Sequence, residues 1–420
     1  MEILNRYLSG IIMPVLLILF GLFFATRLKF FYVLHPCRSI RAITKNKKDS
    51  FRALSVALAG TLGVGNIVGV ASAILFGGAG SIFWMWMSAL CAMSLKYAEV
   101  YLAMRFRKEK NGRFYGGAPY YIKEGLRKKI GEKPAYFLSI IFAVFCVINS
   151  LTTGNLVQIN SVSSLLPIAP MLFGIAFTVL AFLAISGGIK RISKVTSLLI
   201  PILTASYVFL CVIIIIGNFS EVPRAISMIL KDAFNLKSAN GGLCGFGIAK
   251  ALRYGVSRGV LSNEAGCGTS PAAHASADSC DPHGQGCLGI FEVFVDTILL
   301  CTLTAIVILI SAPITASSPM ELVLQAFEQF TGTLGVIAVT ALSVCFAFAT
   351  VICQYFYGVE SLSYVTRASA IKTLFTFIFC LVLLVGAVIP VSLMWQISDL
   401  AIAIMTIVNL ICLFVLREYF

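Results

Sequence analysis

Charge is scarce in this chain. Of its 420 residues only 12% are Asp, Glu, Lys or Arg, whereas 59% are hydrophobic, and the mean hydropathy is +0.94. A water-soluble domain of this length does not carry so little charge, so composition leaves the all-α polytopic membrane class. Long hydrophilic stretches are also missing, the longest connection being about 108–133; the chain therefore reads as one membrane domain, 1–420. Alternating ten-residue strands are absent, which excludes an outer-membrane barrel. Histidine is limited to His35, His274 and His283, all expected in cytoplasmic connections. With no His-Glu-x-x-His or Gly-x-Gly-Asp pattern, the residues lack the dyad that an intramembrane enzyme needs. No small-residue cleavage site follows the first apolar run, so that run is expected to remain as a span.

What the chain does have is apolar length. Eleven spans are read at about 10–34, 52–77, 81–107, 134–164, 168–187, 196–217, 239–278 (interrupted), 286–311, 332–358, 368–389 and 392–416. A net charge of +14 could indicate nucleic acid, but the basic residues refute that by position. They cluster at Arg38 to Lys48, Arg105 to Lys129, Lys190 to Lys194, and Arg367 with Lys372, always in alternate connections. The intervening connections are uncharged, mixed, or acidic, as at Glu321 and Glu328. The positive-inside rule then places the N-terminus outside and the C-terminus in the cytoplasm of a cell membrane, with lipid rather than nucleic acid as the surrounding partner. A monomer is expected. Eight of the thirteen cysteines fall inside spans, where they serve as small apolar fillers. Cys267, His274, Cys280, His283 and Cys287 share one connection, but their spacing lacks the paired knuckle of structural zinc.

Glycine carries the most information. Gly60-Thr61-Leu62-Gly63-Val64-Gly65-Asn66-Ile67-Val68-Gly69 interrupts a membrane-length run with four glycines and an amide. Each interior Gly costs a helix roughly 0.5–1 kcal/mol relative to Ala, and a buried Asn needs partners that hydrocarbon cannot supply. Close packing through Gly65 and Gly69, spaced small-xxx-small, is one explanation. The other is an unwound bend, because Gly63 and Gly65 point to different sides of a helix and cannot serve one packing stripe. A bend exposes carbonyls for a cation and amides for an anion near the bilayer midplane. A second interruption follows about 190 residues later, from Gly241, Gly242, Gly245 and Gly247 through Arg258-Gly259-Val260-Leu261-Ser262-Asn263-Glu264-Ala265-Gly266. With the first helix (10–34) set aside as peripheral, each interruption opens five spans of opposite orientation, predicting inverted repeats over 52–217 and 239–416.

Gly63-Val64-Gly65-Asn66-Ile67-Val68-Gly69, the stretch Gly77 to Trp86, and Arg258-Gly259-Val260-Leu261-Ser262-Asn263-Glu264-Ala265-Gly266-Cys267-Gly268-Thr269-Ser270-Pro271 resemble the signatures of the alanine or glycine:cation symporter family. Shorter matches lie at 154–160 and 346–350. The resemblance implies sodium-coupled uptake of a small neutral amino acid, alanine or glycine first, on the five-plus-five inverted-repeat fold of the leucine transporter. For the substrate it points to Val64, Gly65, Gln158, Ser262, Asn263, Thr350 and Gln354. For sodium, the only ion or cofactor expected, it points to Ala59, Leu62, Ala349 and Thr350, with Thr61 and Asn66 for a second ion. The amides of Val64 and Gly65, at the start of a half-helix, suit the carboxylate, since no Lys or Arg is expected near the midplane. Gln158 is expensive in a span unless it faces a cavity or bonds a neighbouring helix. Two departures, Val64 in place of Thr or Ser and Cys353-Gln354 in place of Gly-Trp, leave open a larger or more polar amino acid, and a proton in place of sodium is the alternative coupling.

Acids inside spans complete the pattern. Glu292 and Asp296 are four apart on one face, and Glu99, Glu264, Glu360 and Asp399 lie in or beside spans. A charged carboxylate at the bilayer centre costs about 2.5–3.5 kcal/mol, so each needs a partner or a proton. A proton or cation relay and plain pairing near an interface both satisfy that need; Glu264 is expected to brace the second broken helix.

Overall fold

The computed structural model describes residues 5, 7–34, 49–166, 168–234, 244–278, 281–311, 316–389 and 392–420. The basic cluster Arg38 to Lys48, His35, Gly241, Gly242 and Cys280 lie outside the described residues. The fold is almost wholly helical: α1 (Met13–Arg27), α2 (Asp49–Thr61), α3 (Val68–Gly77), α4 (Ser81–Arg105), α5 (Ala118–Ile130), α6 (Glu132–Leu151), α7 (Val157–Ser163), α8 (Pro170–Ile185), α9 (Gly188–Gly217), α10 (Val222–Ala233), α11 (Cys244–Asn263), α12 (Pro271–Ala275), α13 (Pro282–Val293), α14 (Thr302–Ile310), α15 (Pro319–Val365), α16 (Ser369–Gly386) and α17 (Ser392–Val415).

Among the described residues seven helices are long and apolar enough to cross a membrane, and the pair α2 and α3, bent by 61° at its break, makes an eighth. Helix α4 has the length, but Lys96 and Glu99 lower its hydropathy, as Lys250, Arg253 and Arg258 do for α11. Both pack extensively on other helices, α4 on α1, α11 and α13, and α11 on α3 and α4. Membrane proteins tolerate such polar helices where protein covers them. The expected first span is shortened, since Lys29 and Phe30 adopt left-handed backbone after Arg27 and turn the chain.

Two further expectations shift. Helix α15 begins at Ser318, whose hydroxyl accepts from Glu321 N–H, and breaks at Gly332, where φ is +60°. The residues before that break form a separate segment ahead of the span, and the Ser317 hydroxyl holds the Glu321 carboxyl below its usual range. Gly245 and Gly247 sit inside α11; the second break falls later, between Glu264 and Ser270, where Gly266 (φ +83°) and Gly268 (φ +76°) supply left-handed backbone. Glu264 itself stands at φ +50°, a conformation that costs a non-glycine residue of order 1–3 kcal/mol and persists only under tight tertiary constraint. The charged connection after α4 folds into a two-stranded hairpin, β1 (Lys108–Lys110) and β2 (Arg113–Tyr115), followed by α5.

Among the described residues three stretches carry widened turns, one of them, Leu8–Ile12, directly ahead of α1 and the other two inside the bundle. Thr152–Leu156 joins α6 to α7, and Phe294–Cys301 joins α13 to α14, each with the i to i+5 spacing. Such turns concentrate where function requires backbone out of register.

Candidate functional site

The two broken helices meet in the middle of the bundle. Between α2 and α3 the chain unwinds through Leu62 and Gly63 into a single tight turn, Val64–Asn66. A Cβ on Gly63 would stand 2.7 Å from Thr350 Oγ1 and 3.1 Å from Gln158 Oε1, so only glycine fits between them. Around Gly69, in contrast, no atom from outside its own turn of helix lies within 4 Å of where a Cβ would be. Gly65 and Gly69 both line an open cavity, which is what an unwound bend predicts and a helix-packing seam does not.

That cavity holds about 580 Å³ and is walled by Thr61, Val64, Gly65, Gln158, Glu264 and Thr350, a size typical of small-molecule sites. It runs past Phe76, Ser161 and Ser164 to Ser318 and Met320, so its mouth lies beside the connection that carries Glu321. Asn66, Ser262, Asn263, Gln354, Leu62, Ala59 and Ala349 are buried behind this wall. The structure thus brings the expected residues into one region, five of them on the cavity surface.

Their hydrogen bonds differ from expectation in instructive ways. The Val64 amide is not free: it donates to Gln158 Oε1 at 3.3 Å, a long bond of the kind a carboxylate oxygen readily replaces. Gln158 is held in place because its Nε2 donates to the carbonyl of Thr153, inside the widened turn Thr152–Leu156. Asn66 turns its oxygen to Gly63 N–H at 3.2 Å, and its Nδ2 donates to the carboxylate and the backbone carbonyl of Asp296, at 2.7 and 3.0 Å, inside the widened turn Phe294–Cys301. In both turns a displaced carbonyl anchors a site amide. Ser262 also donates to Asp296, at 2.8 Å, and Asn263 donates to Thr297 at 3.1 Å. Asp296, fully buried, thus gathers Asn66, Ser262 and Thr297 around one carboxyl group; its i+4 spacing from Glu292 was visible in the sequence, its partners were not.

On the opposite wall Thr350 Oγ1 donates to the Leu62 carbonyl at 3.3 Å, and so stands beside the unwound backbone. Thr61 donates back to its own helix, to Leu58 O at 3.4 Å. Glu264 is gripped by Thr269 at 2.5 Å and Gln354 Nε2 at 2.7 Å, while Asn263 Oδ1 accepts from Ala265 N–H. Gln354 Oε1 is buried with no protein partner.

Basic residues do reach the bundle interior, contrary to the sequence expectation. Lys96 is completely buried and pairs with Glu292 at 3.2 Å. Arg258 lines the cavity together with Asp399. The reason neither was foreseen is that each partner lies far away along the chain. His274, expected in a connection, is buried in α12 and bonds Glu292 and Gln285. Of the other residues in that connection, His283 Nε2 stands 3.8 Å from Cys287 Sγ, and Cys267 Sγ accepts from Thr406. Glu360 pairs with Arg113 near the hairpin, and Glu99 accepts from Gly268 N–H and Asn409.

Two discontinuous helices facing a common cavity inside a bundle of membrane-length helices define a secondary carrier. Solved structures share this architecture. A Na+-coupled sialic acid symporter in a substrate-bound outward-open state superposes with a TM-score of 0.51 at 14% identity, covering 95% of this chain and 81% of its own. MhsT in complex with L-phenylalanine does so with a TM-score of 0.51 at 13% identity, covering 86% and 87%. These likenesses establish the leucine-transporter type of fold. The chain belongs to the sodium:alanine symporter family, which it matches over residues 1–420. That is a family of transporters, not of enzymes, and its activity is cation-coupled amino-acid symport. Relatives include the transporter YflA of Bacillus subtilis, 34% identical over 99% of this chain and 90% of that protein. The sodium/alanine symporter AgcS of Methanococcus maripaludis is 34% identical over 98% and 93%, and the probable sodium/glutamine symporter GlnT of B. subtilis 32% identical over 99% and 87%.

Proposed function

We propose that this protein carries a small neutral amino acid, alanine or glycine first, into the cytoplasm together with sodium, by alternating access in the cell membrane. The supporting observation is the cavity wall in which Val64, Gly65, Gln158 and Thr350 meet at the unwound turn. The substrate carboxylate takes the Val64 and Gly65 amides at the positive end of the half-helix, displacing Gln158 Oε1. One sodium takes carbonyl oxygens of Ala59, Leu62 and Ala349 with the Thr350 hydroxyl, an all-oxygen set suited to a hard cation. A second sits near Thr61 and Asn66, where Asp296 supplies charge. Residues 52–217 and 239–416 act as the two inverted repeats that rock about this site, with the N-terminus outside.

A larger, more polar substrate is the second reading, and Gln354 favours it: its carboxamide oxygen is buried without a partner beside the cavity-lining Glu264. An amide side chain such as that of glutamine could satisfy it. Counterflow uptake by the purified protein in proteoliposomes, with labelled amino acids and with or without sodium, decides. Sodium-dependent counterflow of alanine or glycine supports the first reading; counterflow of glutamine alone selects the second; uptake of either driven only by a proton gradient would overturn the sodium coupling.

A further inference from the structure

At the end of the molecule opposite the cavity mouth lies a chain of fully buried polar groups that the transport site does not use. It starts at Ser50, at the beginning of α2, whose hydroxyl accepts from Gln285 Nε2 at 2.7 Å. Gln285 Oε1 faces His274 Nδ1 at 3.1 Å, and His274 Nε2 faces Glu292 Oε2 at 3.2 Å. Lys96 closes the chain by donating to Glu292 Oε1 at 3.2 Å and to Ser270 at 2.8 Å. Five elements are tied together: α2 and α12, the half-helices at this end of the two breaks, with α4, α13 and the linker residue Ser270.

The hydrogen-bond bookkeeping of His274 is unusual. A neutral imidazole has one donor nitrogen and one acceptor nitrogen. With the Gln285 amide turned so that Nε2 donates to Ser50, both nitrogens face acceptors, a carboxylate and an amide oxygen. In that amide orientation only the doubly protonated ring satisfies both contacts. A neutral ring requires the Gln285 amide to turn over, so that Nε2 donates to His274 and Oε1 accepts from Ser50. The other charges around the ring are Lys96 from α4, Glu292 from α13, and Glu99 and Glu264, which act on Lys96; Arg107 donates to the carbonyls of Ala275 and Ala277 at the end of α12.

We propose that His274 is a proton-binding site that latches this end of the carrier shut, and that its proton is released to water when the end opens. The inference rests on the alternating-access reading only for the word opens. Charge-assisted bonds are roughly twice as strong as neutral ones, so the protonated chain holds α2 against α12 and α13 more firmly than the neutral one. Opening this end separates α2 from α13, breaks the Ser50 contact and admits water to the imidazolium. Acid conditions therefore favour the state seen here, with its cavity open on the other side.

The test uses the full-length protein in lipid, labelled with 15N-histidine, with His274 assigned by the variants His35→Gln and His283→Gln. The expected result is an imidazolium signal from His274, both nitrogens protonated at acid pH, giving way to a neutral ring as the pH is raised over the range in which the protein stays folded. A single-proton ring throughout that range overturns the proposal while leaving the transport reading intact, because no substrate is present. The second measurement is hydrogen exchange of α2 and α12 in the unmodified protein, corrected for the chemical pH dependence. Exchange about tenfold faster on the neutral side of the His274 midpoint supports a latch, since local opening governs it; equal protection on both sides refutes it. Ser50→Ala should raise exchange at acid pH while leaving the His274 imidazolium signal in place, and an unchanged exchange rate in that variant also counts against the latch.

Discussion

Thr350 illustrates what a single hydroxyl does here. Its Oγ1 reaches across from α15 to the Leu62 carbonyl, linking an intact helix to an unwound one. Thr350→Val keeps the shape and removes one oxygen. Sodium activation of uptake should shift to higher concentration by about tenfold, the effect of losing roughly 1.4 kcal/mol, with folding preserved; the sodium dependence of amino-acid uptake measures it. An unshifted curve removes Thr350 from the ion site. Gln158 makes a complementary case, since Gln158→Ala deletes the amide that both masks Val64 N–H and is itself held by Thr153. Substrate affinity should fall and the melting temperature should change little, because the cavity wall is already open to solvent. Of such residues the sequence exposed those whose cost was local. Gln158 in an apolar run and glycines in a helix violate a rule that a reader can check within a few positions. Lys96 was missed because its justification, Glu292, is 196 residues away, and nothing local reveals that distance closing.

At the scale of the element, the first broken helix is the decisive unit. Gly65 stands 3.5 Å, by its missing Cβ, from Ser262 Cα of the other broken helix and lines the cavity. Gly65→Leu should abolish amino-acid binding while the protein still inserts and folds. A helix-packing role predicts the reverse, early melting with intact affinity, and parallel measurements of melting temperature and binding in detergent separate the two. Glycine spacing made the first break legible, because no other residue pattern disrupts a span so economically. It misplaced the second: Gly245 and Gly247 are accommodated inside α11, whereas the break uses Gly266 and Gly268 at positive φ. A glycine count does not distinguish a helical glycine from one in left-handed backbone; only the tertiary setting does.

For the whole molecule, charge placement carries its own expectation, which connections face which side. With single cysteines placed in a cysteine-free background, position 128 should label only from the cytoplasmic side and position 321 only from outside. Reaction at 128 with an impermeant reagent in intact cells would show that the orientation is inverted. Span counting transfers only in part. Helices α4 and α11 are too polar to register as spans by composition, yet each packs along several other helices of the bundle.

The widened turns at Thr152–Leu156 and Phe294–Cys301 bear on how this protein tolerates changes in length. A turn of this kind is equivalent to one extra residue stored in a helix. Deleting a single residue within Phe294–Cys301 should therefore leave a regular, continuous, still-inserted helix, where the same deletion elsewhere in a span would rotate every downstream side chain out of its contacts. The cost should appear in function instead. Asp296 would swing about a quarter-turn, roughly 100° at 3.6 residues per turn, carrying its carbonyl away from Asn66. Such a variant should reach the membrane in normal amount and melt near the parent temperature, but bind neither ion nor amino acid.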